Sequence, residues 1–166
     1  MADNKEQLDR YWDGFIAHVT SRPSTLSRGV DISDRTRLPG RYYFDVNSGF
    51  KFWHFSLQVD LKNRALATFA YIQRRPEQFE RFVSHRLEIE DVVGETLDWG
   101  NDAIEQVARK VGRVAPFSLD DASAWPDSYE WLIDSMDVLR VALGPYSEVR
   151  NSGQLAEALD VVVRKR

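Results

Sequence analysis

The 166-residue chain contains no cysteine at all. This excludes a disulfide framework and a thiolate metal site, and it fits a reducing compartment. The sequence also lacks any apolar run close to the ~20 residues that a membrane-spanning helix requires, and its first residues are too polar for a secretory signal. We therefore expect a soluble, cytoplasmic protein that has no membrane partner.

A surplus of positive charge is missing too. The 22 lysine and arginine residues are outnumbered by 26 aspartate and glutamate residues, which gives a formal net charge of −4. A strongly basic domain is the usual signature of a nucleic-acid-binding protein. The overall charge therefore gives no indication of nucleic-acid binding.

The signatures of several enzyme classes are absent as well. The sequence has no glycine-rich phosphate loop, no dinucleotide-binding fingerprint and no Gly-x-Ser-x-Gly elbow. His18, His54 and His85 are scattered along the chain without a partner at metal-ligand spacing. We expect neither a bound metal nor a cofactor.

Aromatic residues, by contrast, are abundant: five Trp, six Tyr and nine Phe in a chain that is 43% hydrophobic. A chain of this length can bury one sizeable core. We therefore predict a single domain over residues 1–146 and a C-terminal extension over residues 147–166. The extension carries Leu155, Ala158, Leu159 and Val162 at helical spacing, which predicts a short docking helix.

Periodicity and turn residues predict the order α-β-β-β-α-β-β-α. Helices are expected over residues 4–20, 76–93 and 126–143, and strands over residues 41–46, 50–61, 64–73, 95–99 and 108–117. The polar residues 21–41 are expected to form a mobile loop. The fold class is therefore α+β, with an antiparallel sheet of about five strands packed by helices mainly on one face.

The second strand separates two sets of side chains. Alternation places Trp53, Phe55, Leu57, Val59 and Leu61 on a core face, and Phe52, His54, Ser56, Gln58 and Asp60 on the opposite face. Whether Phe69 and Tyr71 join His54 there depends on the register of the next hairpin, because a slip of one residue exchanges the faces. If they do, the rings offer stacking surfaces for nucleic-acid bases.

The tryptophans divide into two groups by their position along the predicted elements. Trp12, Trp53 and Trp131 fall on apolar stripes, and we expect them in the core. Trp99 and Trp125 fall near element ends, where an exposed ring can anchor a protein interface. We therefore regard these two residues as candidate binding residues.

The basic residues are segregated along the chain. The 21–41 loop contains Arg22, Arg28, Arg35, Arg37 and Arg41, and the strands or their ends contain Lys62, Arg64, Arg74, Arg75, Arg109, Lys110 and Arg113, whereas acidic residues concentrate on or before the third helix. A basic loop beside a basic sheet edge can follow a phosphate backbone. This pattern predicts a nucleic-acid-binding module as one alternative. The other is a solvated loop and a sheet face that helices cover.

A second alternative is a metal-dependent nuclease. Asp45, followed by Asp60-Leu61-Lys62, matches the Asp…Asp/Glu-x-Lys pattern in which carboxylates hold a divalent metal and a lysine steadies the attacking water. Asp60 and Lys62 also fall at a predicted tight turn, where polar residues are expected whatever the function. Short motifs match by accident, so the structural interpretation is favoured.

Several local motifs resemble a prokaryotic family of domains of unknown function, found alone or C-terminal to restriction-endonuclease-like nuclease modules. They are Tyr11-Trp12 with Phe15, the strand over residues 49–61, the segment over residues 89–99, and Trp125 and Trp131 flanking residues 126–130. The resemblance implies a bacterial or archaeal cytoplasmic protein linked to defence or nucleic-acid metabolism, and it implies no catalytic residue. We therefore expect a non-catalytic accessory or interaction protein that binds a protein partner or a second copy of itself.

Overall fold

The computed structural model describes residues 4–21, 40–100 and 108–149. Its helices are α1 (Asn4–Thr20), α2 (Pro76–Ser84), α3 (Arg86–Val93) and α4 (Trp125–Leu143), and its strands are β1 (Tyr43–Asn47), β2 (Trp53–Asp60), β3 (Ala65–Gln73) and β4 (Ala108–Pro116). The strands form one antiparallel sheet in the order β1-β2-β3-β4. None of the described helices is long and apolar enough to cross a membrane.

The predicted α+β class and antiparallel sheet are confirmed, but the sheet has four strands. The strand predicted over residues 95–99 is wrong, because only Asp98 pairs with the edge of the sheet, through a single bridge to Gly112. The reason lies in Leu97, whose amide donates to the Glu90 carboxylate at 2.7 Å. This hydrogen bond ties the segment to α3 and takes the Leu97 amide away from a ladder with β4.

The single helix predicted over residues 76–93 is two helices. The helix is interrupted at His85, whose φ of −113° and ψ of 24° separate α2 from α3. The apolar stripe that predicted one helix is not continuous, since Val83 is 44% exposed and Leu87 is 81% exposed. The His85 ring instead stacks on Tyr146, with 4.1 Å between ring centroids.

The helices cover one face of the sheet, which we call the inner face. On α1, Trp12 and Phe15 both pack against the Phe44 ring of β1. Phe82 of α2 meets the edge of Trp53. Helix α3 packs chiefly on α4, which itself lies over the inner face. The inner face is therefore the floor of the hydrophobic core.

Helices α1 and α4 are also joined by buried hydrogen bonds. The hydroxyl oxygens of Tyr11 and Ser128 lie 2.8 Å apart, and the Tyr129 hydroxyl donates to the Tyr11 carbonyl at 2.7 Å. Burial raises the pKa of both tyrosine hydroxyls above the usual range. Burial therefore favours the protonated, hydrogen-bonding form of both residues.

The alternation predicted for β2 is largely confirmed. Two residues fall outside the strand, which runs from Trp53 to Asp60: Leu61 lies in the following turn and is exposed, and Phe52 precedes the strand with a φ of 73°. The register pairs His54 with Tyr71 and Ser56 with Phe69, which settles the open question of the second hairpin. Phe69 and Tyr71 share the face of His54.

Two predictions lie mainly outside the described residues. Most of the 21–41 loop, including Arg28, Arg35 and Arg37, falls there, as does the docking helix predicted within residues 147–166. At the described end of the chain, Val149 pairs with Phe50 through an isolated bridge. The Lys51 amide also donates to the Glu148 carbonyl at 2.8 Å, so residues 148–149 are attached to the β1–β2 hairpin.

Candidate functional site

The face of the sheet opposite the helices, which we call the outer face, has a different composition. Strand register assigns it Tyr43, Asp45, Asn47, His54, Ser56, Gln58, Ala67, Phe69, Tyr71, Gln73, Lys110, Gly112 and Val114. In the described part of the chain, the ring contacts between helices and sheet all involve the inner face. The outer face is therefore the surface on which a ligand site is to be sought.

Aromatic rings on and beside this face are each accompanied by another ring or a cation. The His54 and Tyr71 rings lie side by side, with centroids 5.3 Å apart. The Lys110 ammonium lies 4.3 Å from the Phe69 ring centroid, and the Arg75 guanidinium lies 4.4 Å from that of Phe52. Phe69 itself is buried, so the accessible row of flat surfaces consists of His54, Tyr71 and Phe52, with positive charge at its ends.

A continuous groove runs along these rings. One cleft of about 310 Å³ is lined by Tyr42, Tyr43, Asp45, His54, Ser56, Gln58, Tyr71 and Gln73. A second cleft of about 520 Å³ adjoins it toward the β1–β2 hairpin, and the two share Asp45, His54 and Gln73. Together they reach from the middle of the outer face to the Phe52 end of the sheet.

The polar side chains of the groove are positioned by paired strands. Asp45 on β1 lies 3.5 Å from the His54 imidazole on β2, beside the ring of Tyr71. The Gln58 amide donates to the Ser56 hydroxyl at 3.2 Å. Because the backbone register holds these groups at fixed spacing, the groove can offer hydrogen bonds and flat apolar contacts together.

The nuclease residues are not brought together. Asp45 on β1 pairs with Ser56 on β2. Asp60 lies four residues beyond Ser56 on β2, which puts it roughly 13 Å from Ser56 at the usual rise of a strand. The Asp60 carboxylate accepts hydrogen bonds from the Asn63 side chain and amide at 2.8 and 3.0 Å, which lower its pKa. Within the described ranges, no cluster of three or more histidine or carboxylate side chains could hold a metal.

The predicted basic set is divided between the two faces, because side chains alternate along β4. Lys110 belongs to the outer face, whereas Arg113 bonds Glu95 and the Ser135 hydroxyl on the helix side. Arg109 also lies on the inner side, 5.8 Å from the Phe79 ring centroid. Arg64 is exposed in the β2–β3 turn, at the end of the sheet away from Phe52.

Arg41 is the residue of the predicted loop set that the structure describes. It is exposed, and its guanidinium lies 6.0 Å from the Tyr43 ring centroid. This places it beside the groove, at the β1 edge. Of the described basic residues predicted from sequence, Arg41, Arg75 and Lys110 therefore accompany the outer face.

Neither Trp99 nor Trp125 stands free on the surface. Trp99 packs against Phe79 at 6.3 Å, and Trp125 donates from Nε1 to the Leu119 carbonyl at 3.1 Å while its ring meets the edge of Tyr11. Both are half-buried against the core, as is Trp131. Trp12 and Trp53 are buried as expected.

Sequence reasoning missed Tyr43, Gln58 and Gln73 as groove residues. A signal was present in β1, where Tyr43, Asp45 and Asn47 alternate with the buried Phe44 and Val46. That pattern is typical of a strand with one solvent-exposed face. It carries little weight in only five residues, which is why it did not single out a site.

Fold and groove together define a small α+β domain with a cleft of aromatic and polar side chains on the sheet face opposite the described helices. The chain belongs to the family described as Domain of unknown function (DUF4268), whose model matches residues 9–147. No curated protein and no solved structure matches the chain.

Proposed function

We propose that this chain is a non-catalytic interaction protein and that the outer face of its sheet is the surface it uses. The observation that carries the proposal is the groove through Asp45, His54 and Gln73, in which aromatic rings alternate with hydrogen-bonding side chains. Sites of this composition bind ligands by shape and by a few placed polar groups.

The position of the groove supports binding. Its residues stand on β1, β2 and β3, whose backbone pairing is continuous over the whole of β2. Side chains on paired strands need little reordering to receive a partner, which reduces the entropic cost of binding. His54 is held further by Asp45 and Tyr71 on the two neighbouring strands.

The cellular context forms the second part of the proposal. The motifs of the sequence resemble domains that accompany restriction-type nucleases in bacteria and archaea. We propose an accessory role of that kind, in cytoplasmic defence or nucleic-acid metabolism. A neighbouring gene for a nuclease or a methyltransferase would support this role. The lack of such a neighbour in every genome that carries this domain would contradict it.

The absence of cysteine makes a face-specific test simple. Gln58→Cys places one thiol on the outer face, and Asp134→Cys places one at an exposed position of α4. Each variant is labelled with a photoreactive maleimide, incubated in an extract of the source cells and irradiated. We expect adducts from the Gln58 position and few from the control.

Two results would contradict the proposed function. One is the absence of adducts at Gln58 in a folded, fully labelled protein. The other is an equal yield at both positions, which would mean that the outer face has no preference over the helix side.

A further inference from the structure

We infer that the ligand of the outer face is a single-stranded nucleic acid. The inference rests on the proposed function and names the ligand of the same groove. Three features carry it: rings that stand in neighbouring positions across the strands, amide side chains between them, and cations at the ends of the row.

The rings are arranged as base-stacking platforms. His54 and Tyr71 form one platform across β2 and β3. Tyr43, whose ring contacts that of Tyr42 at 5.2 Å, forms another on β1. Phe52, at the far end of the groove, forms a third beneath Arg75. Four-stranded antiparallel sheets can receive single strands by stacking two or three splayed bases on such rings.

Amide side chains lie between the platforms. Gln58 and Gln73 line the same cleft as Tyr43 and Tyr71, and a side-chain amide offers both a donor and an acceptor to a base edge. Stacking is tolerant of sequence because every base has a flat face, whereas amide contacts add a modest preference. The groove thus fits unpaired bases, whose faces and edges are both accessible.

Charge favours a phosphate backbone at this face. Arg41, Arg75 and Lys110 stand beside Tyr43, Phe52 and Phe69, respectively. Acidic residues gather instead on α4, on the other side of the sheet: Asp127, Glu130, Asp134 and Asp137. Glu77 lies 3.6 Å from Arg75, and Asp45 lies in the groove beside His54, so the positive charge of this face is concentrated at its margins, in a chain whose net charge is −4.

A duplex fits this surface less well. Base faces in a double helix are already stacked on one another, so the platforms could contact only the backbone. Arginine and aromatic rings also occur in protein interfaces, so a protein partner is the competing outcome that the cross-linking experiment separates from a nucleic acid. Single strands use all three features of the groove.

The test is fluorescence anisotropy with labelled ten-nucleotide DNA and RNA strands of mixed sequence, titrated at about 50 mM salt and above. We expect binding of at least one of them and a plot of log affinity against log salt with a slope near −2, from about three phosphate contacts at ~0.7 each. Tyr71→Ala should weaken binding by roughly 5- to 150-fold, as expected for a lost stacking ring. Tyr71→Phe should retain the affinity, because the ring remains.

Matched arginine variants separate specific contacts from general charge. Arg75→Ala should reduce the salt slope by about 0.7, the contribution of one phosphate contact. Arg81→Ala, an exposed arginine of α2 on the helix side, should leave both affinity and slope unchanged. Circular dichroism establishes that each variant is folded, and His54→Ala replaces Tyr71→Ala if the latter unfolds.

The inference is overturned if neither DNA nor RNA strand binds at low salt, if a duplex of the same sequence binds equally well, or if the folded Tyr71 and His54 variants keep full affinity. The cross-linking experiment distinguishes it from the proposed function. Adducts at Gln58 that a non-specific nuclease degrades support a nucleic acid. Adducts that only a protease degrades would overturn the nucleic-acid ligand and leave the interaction surface in place.

Discussion

The two faces of the sheet are both rich in aromatic rings, yet the rings have different surroundings on each face. On the inner face, Phe44 and Phe55 are surrounded by the rings and aliphatic side chains of the helices, and they are buried. On the outer face, Tyr71 and His54 are half-buried among amides, a carboxylate and cations. The aromatic content of the chain therefore says little about function by itself. The residues that separate the rings decide whether they form a core or a binding surface.

The strongest test of the difference between the two faces is to remove one ring from each of them. Phe55→Ala deletes a fully buried ring that meets Trp53 edge-on, and we expect a loss of about 3–5 kcal/mol in the free energy of unfolding. Tyr71→Ala should cost about 1 kcal/mol, because its ring is half-exposed. Urea unfolding of both variants measures the difference. Equal losses would show that the outer face is part of the core.

The close approach of β3 and β4 is the next most sensitive feature. A Cβ atom at Gly112 would overlap the carbonyl oxygen of Thr68 on the neighbouring strand. We expect Gly112→Ala to cost about 1–3 kcal/mol, because the paired backbone has to shift. Val114→Ala, at an exposed position of the same face and strand, should change stability by less than about 0.5 kcal/mol. Similar thermal melting of the two variants would contradict the steric account.

Arg140 is a charged residue buried among the apolar side chains on the helix side of the sheet, and it offers a third test. Its side chain is 1% exposed, and its guanidinium lies 5.9 Å from the Phe55 ring centroid. Its nitrogens have no hydrogen-bond partner among the described residues. Burial lowers its pKa, whereas the charge of Asp137 acts in the opposite direction.

An apolar side chain of similar length should suit this position at least as well. We expect Arg140→Met to leave stability unchanged or to raise it by about 1 kcal/mol, with Arg81→Met as an exposed control near zero. Denaturant unfolding measures both variants. A loss of 3 kcal/mol or more would show that the guanidinium is paired in the folded protein.

The smallest effect is expected at Asp60, at the end of β2. Hydrogen bonds from Asn63 lower its pKa in the folded state, so its contribution is present above the unfolded pKa of ~3.9 and is lost as the pH falls through the folded value. We expect Asp60→Ala to cost about 0.5 kcal/mol at pH 7, since the group is near the surface. Unfolding curves of the variant and the parent should converge in acid.

The same position distinguishes binding from catalysis. In the double variant Asp60→Ala, Lys62→Ala, any nucleic-acid binding should be close to that of the parent protein. Incubation of both proteins with plasmid and single-stranded DNA in Mg²⁺ or Mn²⁺ tests the nuclease alternative. Metal-dependent cleavage by the parent that is lost in the double variant would overturn the non-catalytic proposal.

Much of the fold follows from local sequence signals. Alternation located β2, Pro76 marked the first turn of α2, and Gly94 ends α3 in the left-handed conformation, with φ 86°. The failures have a different origin. The break at His85 and the missing ladder at residues 95–99 depend on contacts with Tyr146 and Glu90, respectively. Such tertiary partners leave no trace in the periodicity of a segment.

The candidate groove was predictable in part. His54 and the rings of β3 were expected as stacking surfaces. Whether they lie on the same face depends on the β2–β3 register, which pairs Asp60 with Ala65 across the turn. The basic residues were misleading as a set, because their linear proximity on β4 hides an alternation between faces. Charge clusters along a chain become surfaces only after strand geometry has sorted them.

The hydrogen bond between Tyr11 and Ser128 has a consequence for the order of folding. It joins residues 117 positions apart, and the Lys51–Glu148 pair joins residues 97 apart, whereas β1, β2 and β3 pair through local hairpins. Local pairs form early and distant ones late. During synthesis the β1–β3 meander can assemble while the part of its apolar side that α4 covers still faces water, until α4 has left the ribosome. That interval is when the nascent chain depends most on protection from aggregation.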